Sequence, residues 1–351
     1  MKQKRARLIY NPTSGQEIMK KNVAEVLDIL EGAGFETSAF QTTPDENSAK
    51  NEATRAAEAG FDLVIAAGGD GTINEVVSGI APLDKRPQMA VIPTGTTNDF
   101  ARALKIPRGN PVEAAKVIAK NQTLQMDIGR AYDDKYFINI AAAGSFTELT
   151  YSVPSRLKTV LGYLAYLVKG AELLPQVKKV PVRITHDQGV FEGELSMIFV
   201  ALTNSVGGFE MIAPDAKLDD GQFTLIMVKT ANLFELVDLI RQVLQGGKHI
   251  YDKRVAYIKT SSLDIEPLGE DRMMINLDGE YGAMPQFTSK ILRITLNSML
   301  ILMRFLMMLS RFPIQTNWLS KLLYKNSVQK LKKSKMININ LLSNLGQVAS
   351  D

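Results

Sequence analysis

IAAGGDGTINEVVSG, residues 65–79, sets three glycines within four positions directly behind an apolar run that reads as a buried strand. Glycine gives up the most conformational entropy on folding and offers no side chain to pack, so such a cluster implies a close approach to the backbone. A strand, a glycine-rich turn and a helix beginning near Thr72 or Ile73 gather unpaired N–H groups and the positive helix end at one place, an anion site suited to phosphate. The competing reading is a tight turn that merely needs positive φ; the aspartate inside it, Asp70, argues against that. The chain has no GxxxxGK[ST], and GxGxxG fails because Asn74 stands where its third glycine belongs. The stretch is neither a P-loop nor a regular Rossmann turn.

Working outward, short apolar runs alternate with helical ones up to about Lys120: ARLIY, a helix near residues 20–33 with Val23, Val26, Leu27 and Leu30 on one face, and ETSAFQT. An alanine-rich helix near 47–59, DLVIAA, the helix after the glycines and MAVIP follow. This alternation predicts a mostly parallel sheet covered by helices. NPTSG (residues 11–15) follows the first strand and PTGTTNDFAR (93–102) the fourth. Strand ends of a doubly wound sheet share one edge, so these two loops and GGDGT converge on one crevice of the nucleotide-binding kind.

From about Thr123 the pattern turns β-rich: LQMDIGRA, KYFINIAAA, VPVRITHD, GVFEGELSMIFVALT, GQFTLIMV, VAYIKTSSLDI, MMINLDGE and KILRITL. Helical stretches interrupt it at 155–174 and 232–247. An antiparallel second domain is expected. The 351 residues, 45% hydrophobic and 22% charged, suit a globular chain with room for two cores. A net charge of +4 selects neither nucleic acid, membrane nor phosphorylated substrate. With no cysteine, disulfides, thiolate metal sites and cysteine nucleophiles are excluded. The basic start MKQKRARLIYNPTSG lacks the apolar core of a signal peptide.

GGDGT followed by NE, with NPTSG, PTGTTNDFAR and a distant LDGE, resembles the diacylglycerol kinase catalytic family, which includes sphingosine and ceramide kinases. The chain is most similar to the soluble diacylglycerol kinases of Gram-positive bacteria, over roughly residues 1–296. GGDGT alone is less specific, since NAD kinases and 6-phosphofructokinases carry related turns. The resemblance implies an NAD-kinase/phosphofructokinase-like α/β nucleotide-binding domain over residues 1–122. A β-rich antiparallel sandwich over 123–296 would carry lipid substrate and Mg²⁺, a segment near 285–300 would return to the first domain, and an atypical tail would occupy 297–351. ATP would be bound by Asn11, Pro12, Thr13, Ser14, Gly15, Thr42, Gly68, Gly69, Asp70, Gly71, Thr72, Ile73, Asn74 and Thr96. Asp70 and Asp99 would hold water and Mg²⁺ near the phosphates, and Arg102 and Asp127 would complete a polar cluster. In PDAKLDDGQF the Asp220 carboxylate and the main-chain carbonyls of Lys217 and Gln222 would hold a second, structural Mg²⁺, in keeping with a hard ion's preference for oxygen ligands.

NLDGEYG, residues 276–282, would supply the chemistry: Glu280 the general base, Asp278 its partner in the Asp70 network. Alone, DG between β-like runs is a common hairpin turn. The implied reaction is ATP- and Mg²⁺-dependent phosphorylation of diacylglycerol to phosphatidic acid in phospholipid recycling. The chain would be cytoplasmic, peripheral to the inner face of the cell membrane, homodimeric and without nucleic-acid partners. A sphingoid base or phosphatidylglycerol as acceptor, and a catalytically silent nucleotide-binding regulator, stand as alternatives. Two departures from the family pattern stand out. Gln16 replaces a lysine usual in relatives, leaving Lys20 and Lys21 as the nearest cations. The tail NSMLILMRFLMMLSRF, followed by lysines 325–335, reads either as an interfacial membrane helix or as an extension or dimer contact; its eleven-residue apolar core, 299–309, is too short to span a bilayer. Helix 155–174, with Lys169, reads as core-facing or membrane-docking, and His186 and His249 read as solvated surface residues without partners.

Overall fold

A computed structural model describes residues 3–132, 135–144, 179–204, 211–229, 233–269, 273–284 and 287–297. All lie within one compact unit, Met1–Ile301. The expected helix 155–174 with Lys169, and the tail beyond residue 297, lie outside the described residues.

The first half is the parallel α/β layer predicted from the alternation. Strands β1 (Lys4–Tyr10), β2 (Phe35–Gln41), β3 (Leu63–Gly68) and β4 (Gln88–Pro93) pair in parallel in the order β4-β3-β1-β2. Every residue of β3 is buried, as a central strand covered on both faces requires. Helix α1 (Ile18–Gly32) buries Met19, Val26 and Leu30, while Val23 and Leu27 are half-buried against the same core. Helix α2 (Ser48–Glu58) presents Ala49, Ala53 and Ala56. Helix α3 (Asp70–Ile80) crosses it closely: a Cβ on Gly79 would sit 2.4 Å from the Lys50 carbonyl oxygen. Helix α3 begins at Asp70 rather than near Thr72. Gly69 is its extended first cap, and the carboxylate enters the first turn, where the helix dipole favours an anion. Short α4 (Asp99–Ala103) and α5 (Pro111–Ala119) follow β4. Asn110 caps α5 by accepting from the Glu113 amide at 3.1 Å, with Pro111 at the first position.

The second half is antiparallel. It comprises β5 (Thr123–Arg130), β6 (Tyr136–Phe137), β7 (Ile140–Gly144), β8 (Val180–His186), β9 (Gly189–Ala201), β10 (Phe223–Lys229), α6 (Leu233–Leu244), a 3₁₀ turn (Lys248–Tyr251), β11 (Val255–Thr260), β12 (Ser262–Pro267), β13 (Met273–Leu277), β14 (Glu280–Met284) and β15 (Phe287–Asn297). The long β9 pairs with β8 along its first half and with β7 and β10 along its second, wrapping the sheet around a core that includes stacked Phe137 and Phe223. Strand β15 joins the halves. It pairs antiparallel with β5 and β12, and Leu296 pairs in parallel with Met89 of β4.

Three expectations need correction. KYFINIAAA is not one strand: the chain breaks between β6 and β7, where the Ile138 and Asn139 amides donate to Asp278 at 2.6 and 2.9 Å. VAYIKTSSLDI splits at Ser261, because Asp187 accepts from the Ser261 amide at 2.5 Å and the Ser262 hydroxyl at 2.9 Å and turns the corner between β11 and β12. The Ser261 amide, with help from the neighbouring hydroxyls, holds the Asp187 carboxyl down to about 2. Nor are the histidines solvated and partnerless. His249 is buried with Nε2 2.9 Å from the Ile212 carbonyl, and burial depresses its pKa; half-buried His186 accepts from the Gln188 amide at 3.2 Å. The 3₁₀ turn after the glycine-ended α6 folds back over residues 211–214, which covers His249.

Candidate active site

Three loops meet at the C-terminal edge of the parallel sheet. The Asn11 amide donates to the Ala67 carbonyl at 2.9 Å, and the Thr94 and Gly95 amides donate to the Gly68 carbonyl at 2.9 and 3.2 Å. Residues 11–15, 68–72 and 93–98 are thus laced together at the strand ends. The glycines permit this. A Cβ on Gly95 would stand 2.5 Å from Gly69 Cα, and one on Gly15 only 1.9 Å from the Thr94 oxygen. Gly15 (φ 56°), Gln16 (φ 59°) and Glu17 (φ 62°) form a run of left-handed residues, unfavourable for the last two and therefore imposed by the loop. Asn11 turns the first loop by accepting from the Thr13 amide and hydroxyl at 3.0 and 2.9 Å. Buried Thr42 follows β2 with its amide on the Tyr10 carbonyl, and Thr96 is exposed at the third loop. Ile73 is in the core, so only its backbone is oriented by the site. A helix leaves its first amides without intrahelical acceptors. In α3 those belong to Asp70, Gly71 and Thr72, since Ile73 already bonds to Gly69.

Asp70 is the electrostatic centre. Burial raises its carboxyl, the charges of Asp99 and Asp278 raise it further, and the amides of Asn98 and Phe100 offset part of this, leaving it at about 6. The Asn98 amide donates to Asp70 at 2.9 Å. Asn98 is a residue that the loop-level sequence reading missed. Buried and left-handed (φ 48°), it also exchanges side-chain bonds with Gly95 at 2.6 and 3.2 Å, which close the third loop on itself while the amide bond to Asp70 ties that loop to the second. Arg102 lies one turn along α4, with Nε 3.9 Å from Asp99. Among the described residues no group of three or more His, Asp and Glu side chains converges tightly enough to hold a metal unaided. A divalent ion near Asp70 would need nucleotide phosphates and water as further ligands, the habit of Mg²⁺.

Asp278 approaches this centre from the second half. It and Gly279 form the two-residue turn between β13 and β14, both with positive φ (52° and 100°), as a tight hairpin demands. Its carboxylate accepts from the Ile138, Asn139 and Ile140 amides at 2.6, 2.9 and 2.9 Å and from Asn74 Nδ2 at 3.0 Å. Burial nevertheless outweighs these donors and pushes the carboxyl up to about 6. Asn74 therefore spends its amide on Asp278 and on the Tyr136 carbonyl (2.9 Å). Glu280 begins β14 directly after the turn; its side chain lies outside the described structure. Glu75, which follows Asn74 in sequence, points elsewhere: it accepts from the Ala49 and Lys50 amides at 2.9 and 3.4 Å and caps α2 across the helix pair.

Asp127 comes from the second half of the chain. It is buried on β5, accepts from the Gly221 amide at 2.5 Å, and its own amide donates to the Leu218 carbonyl at 2.7 Å. It braces the loop that carries Lys217, Asp220 and Gln222. Within that loop Asp220 is half-buried and accepts from the Gln222 amide at 3.1 Å.

The diacylglycerol kinase catalytic domain model matches residues 5–131. The model of the YegS C-terminal NAD kinase beta sandwich-like domain matches residues 148–298. Diacylglycerol kinase of Bacillus subtilis (strain 168) is 52% identical over 281 residues, 80% of this chain and 91% of the relative. That of Staphylococcus haemolyticus (strain JCSC1435) is 50% identical over 277 residues, 79% and 82% of the two chains. A crystal structure of a diacylglycerol kinase from Bacillus anthracis (strain Sterne) superposes with a TM-score of 0.65 at 26% identity, covering 85% of this chain and 98% of that one. Fold and site together define a two-lobed kinase in which a parallel α/β lobe is joined to an antiparallel sandwich-like lobe. The chain belongs to the diacylglycerol kinase family.

Proposed function

We propose that this chain is an ATP- and Mg²⁺-dependent kinase that phosphorylates the free hydroxyl of 1,2-diacylglycerol to phosphatidic acid. The observation that carries the reading is the lacing of loops 11–15, 68–72 and 93–98 around half-buried Asp70; the acceptor comes from the relatives' names. Residues 1–122 form the nucleotide lobe in this account and 123–296 the lipid lobe. Asn11 to Gly15, Thr42, Gly68 to Ile73 and Thr96 hold ATP, with the first-turn amides of α3 on phosphate oxygens, while Asn74, expected in the same set, leaves it because its side-chain amide is spent on Asp278 and the Tyr136 carbonyl. Bound Mg²⁺ would neutralise charge on the phosphates, and Asp70 and Asp99 would hold it or its waters. Arg102 adds a cation, offsetting what Gln16 lacks. The lipid hydroxyl attacks the γ-phosphorus, the bond to the bridging oxygen breaks, ADP leaves, and Glu280 accepts the hydroxyl proton. Asp220 with the carbonyls of Lys217 and Gln222 holds a structural Mg²⁺ in a loop that Asp127 braces.

A diacylglycerol acceptor resides in a bilayer, so the enzyme works at a membrane surface, as a homodimer in this reading. Among the described residues no helix is long and apolar enough to cross a membrane. Transfer from γ-labelled ATP into mixed micelles of diacylglycerol, sphingosine or phosphatidylglycerol tests the proposal. Labelling of diacylglycerol that collapses in Glu280→Ala is expected. Preferred labelling of another lipid would reassign the acceptor, and ATP binding without transfer to any lipid would make the chain a silent nucleotide-binding regulator.

A further inference from the structure

Asn74 stands on α3 one turn beyond the phosphate loop and reaches a turn 204 residues away in sequence. Its Nδ2 bridges the Tyr136 carbonyl and Asp278 Oδ2, while its Oδ1 accepts from the Ser78 hydroxyl at 3.4 Å and so fixes which way the amide faces. Asp278 holds the left-handed backbone of a tight Asp-Gly hairpin turn. Its own amide is tied to the Ile140 carbonyl at 2.9 Å, and four donors surround its carboxylate. Of those four, three are main-chain amides of residues 138–140. Asn74 supplies the side-chain donor, and it alone of the four comes from the nucleotide lobe. Strand β14 starts at the next position but one, with Leu277 paired to Glu280.

We propose that Asn74 is a positioning residue: it ties the helix that presents the phosphate loop to the Asp278–Gly279 turn, and thereby sets the backbone from which Glu280 departs. This explains why the position that a dinucleotide fingerprint would fill with glycine carries an amide here. Glycine offers no donor to the turn, and aspartate would set a second carboxylate against Asp278. The role differs from that of an ATP ligand, whose loss weakens binding of the nucleotide.

The inference rests on the kinase reading, so wild-type transfer from ATP to diacylglycerol is measured first; its absence would defeat that reading and not the role of Asn74 within it. With wild type active, Asn74→Ala is expected to lower kcat by about 10- to 100-fold, the scale of a misplaced reacting group, while KM for ATP changes less than about twofold. Combining it with Asp278→Asn should add little to the larger single effect, because both variants act through the same turn. Asn74→Ser, which keeps a shorter donor, should recover part of kcat. A raised KM for ATP with kcat intact would overturn the proposal, as would losses that multiply in the double variant. Failure of both Asn74→Ala and Asn74→Ser to fold would assign Asn74 to stability alone and overturn it equally.

Discussion

Asp70 shows what the cleft asks of a single residue. Its folded-state carboxyl sits at about 6 against an ordinary 3.8, raised by burial and by Asp99 and Asp278. A raised carboxyl favours the protonated folded state, so this contribution to stability is fully present below pH 3.8 and is lost as pH rises through 6. Asp70→Asn cannot ionise and can still accept from the Asn98 amide. It should therefore be more stable than wild type at pH 8 by about 1–3 kcal/mol, with the difference vanishing near pH 4, as read by urea unfolding in the absence of Mg²⁺. Added Mg²⁺ should stabilise wild type at pH 8 and leave the variant nearly unchanged. Gly95 makes a second test at this scale. In Gly95→Ala the new methyl meets Gly69 Cα, so the two loops must part; KM for ATP should rise by an order of magnitude or so, the yield of about 1.4 kcal/mol of lost binding. An unchanged KM would separate this contact from the nucleotide site. Asp70 and the glycines were legible because their types and spacing already state their chemistry. Asn98, Asn74's true contacts and the bracing role of Asp127 were not, since each depends on a partner far away in the chain.

At the scale of elements, the α/β half was readable because apolar periodicity and loop chemistry agree along α1, α2 and β3. Breaks imposed by distant side chains were hidden. Residues 135–143 look like one strand until Asp278 takes their amides, and 255–265 look like one until Asp187 bends Ser261. His249 is a further case, since a polar local context says nothing of the segment at 211–214 that buries it. The capping of α2 belongs here as well. Its own cap residue, Asn47, is left-handed and makes no side-chain cap bond, and Glu75 of α3 replaces it. Glu75→Ala should lower stability by about 1 kcal/mol and speed amide exchange at Ala49 and Lys50 selectively, with kcat little affected. Equal protection in variant and wild type would show that α2 needs no such cap.

Across the whole molecule, β15 binds the account together, because one strand serves both lobes: β5 and β12 on the sandwich side, and Met89 of β4 on the other. Such a shared strand predicts that residues 1–301 unfold in one cooperative transition, with circular dichroism and the fluorescence of tyrosines in the two lobes giving coincident midpoints. Two separated transitions would contradict the sharing. The proposed function is organised in the same way, for the three glycine-bearing loops belong to the first lobe and the Asp278–Gly279 turn to the second. The measurement that tests the account most directly is phosphatidic acid formation from ATP and diacylglycerol by wild type and Asp70→Asn at pH 8, with thermal stability followed in parallel. The account predicts turnover by wild type and a loss of roughly 100-fold or more in the variant, together with a higher melting temperature. Turnover retained in a stabilised Asp70→Asn, or no phosphatidic acid from wild type, would contradict it.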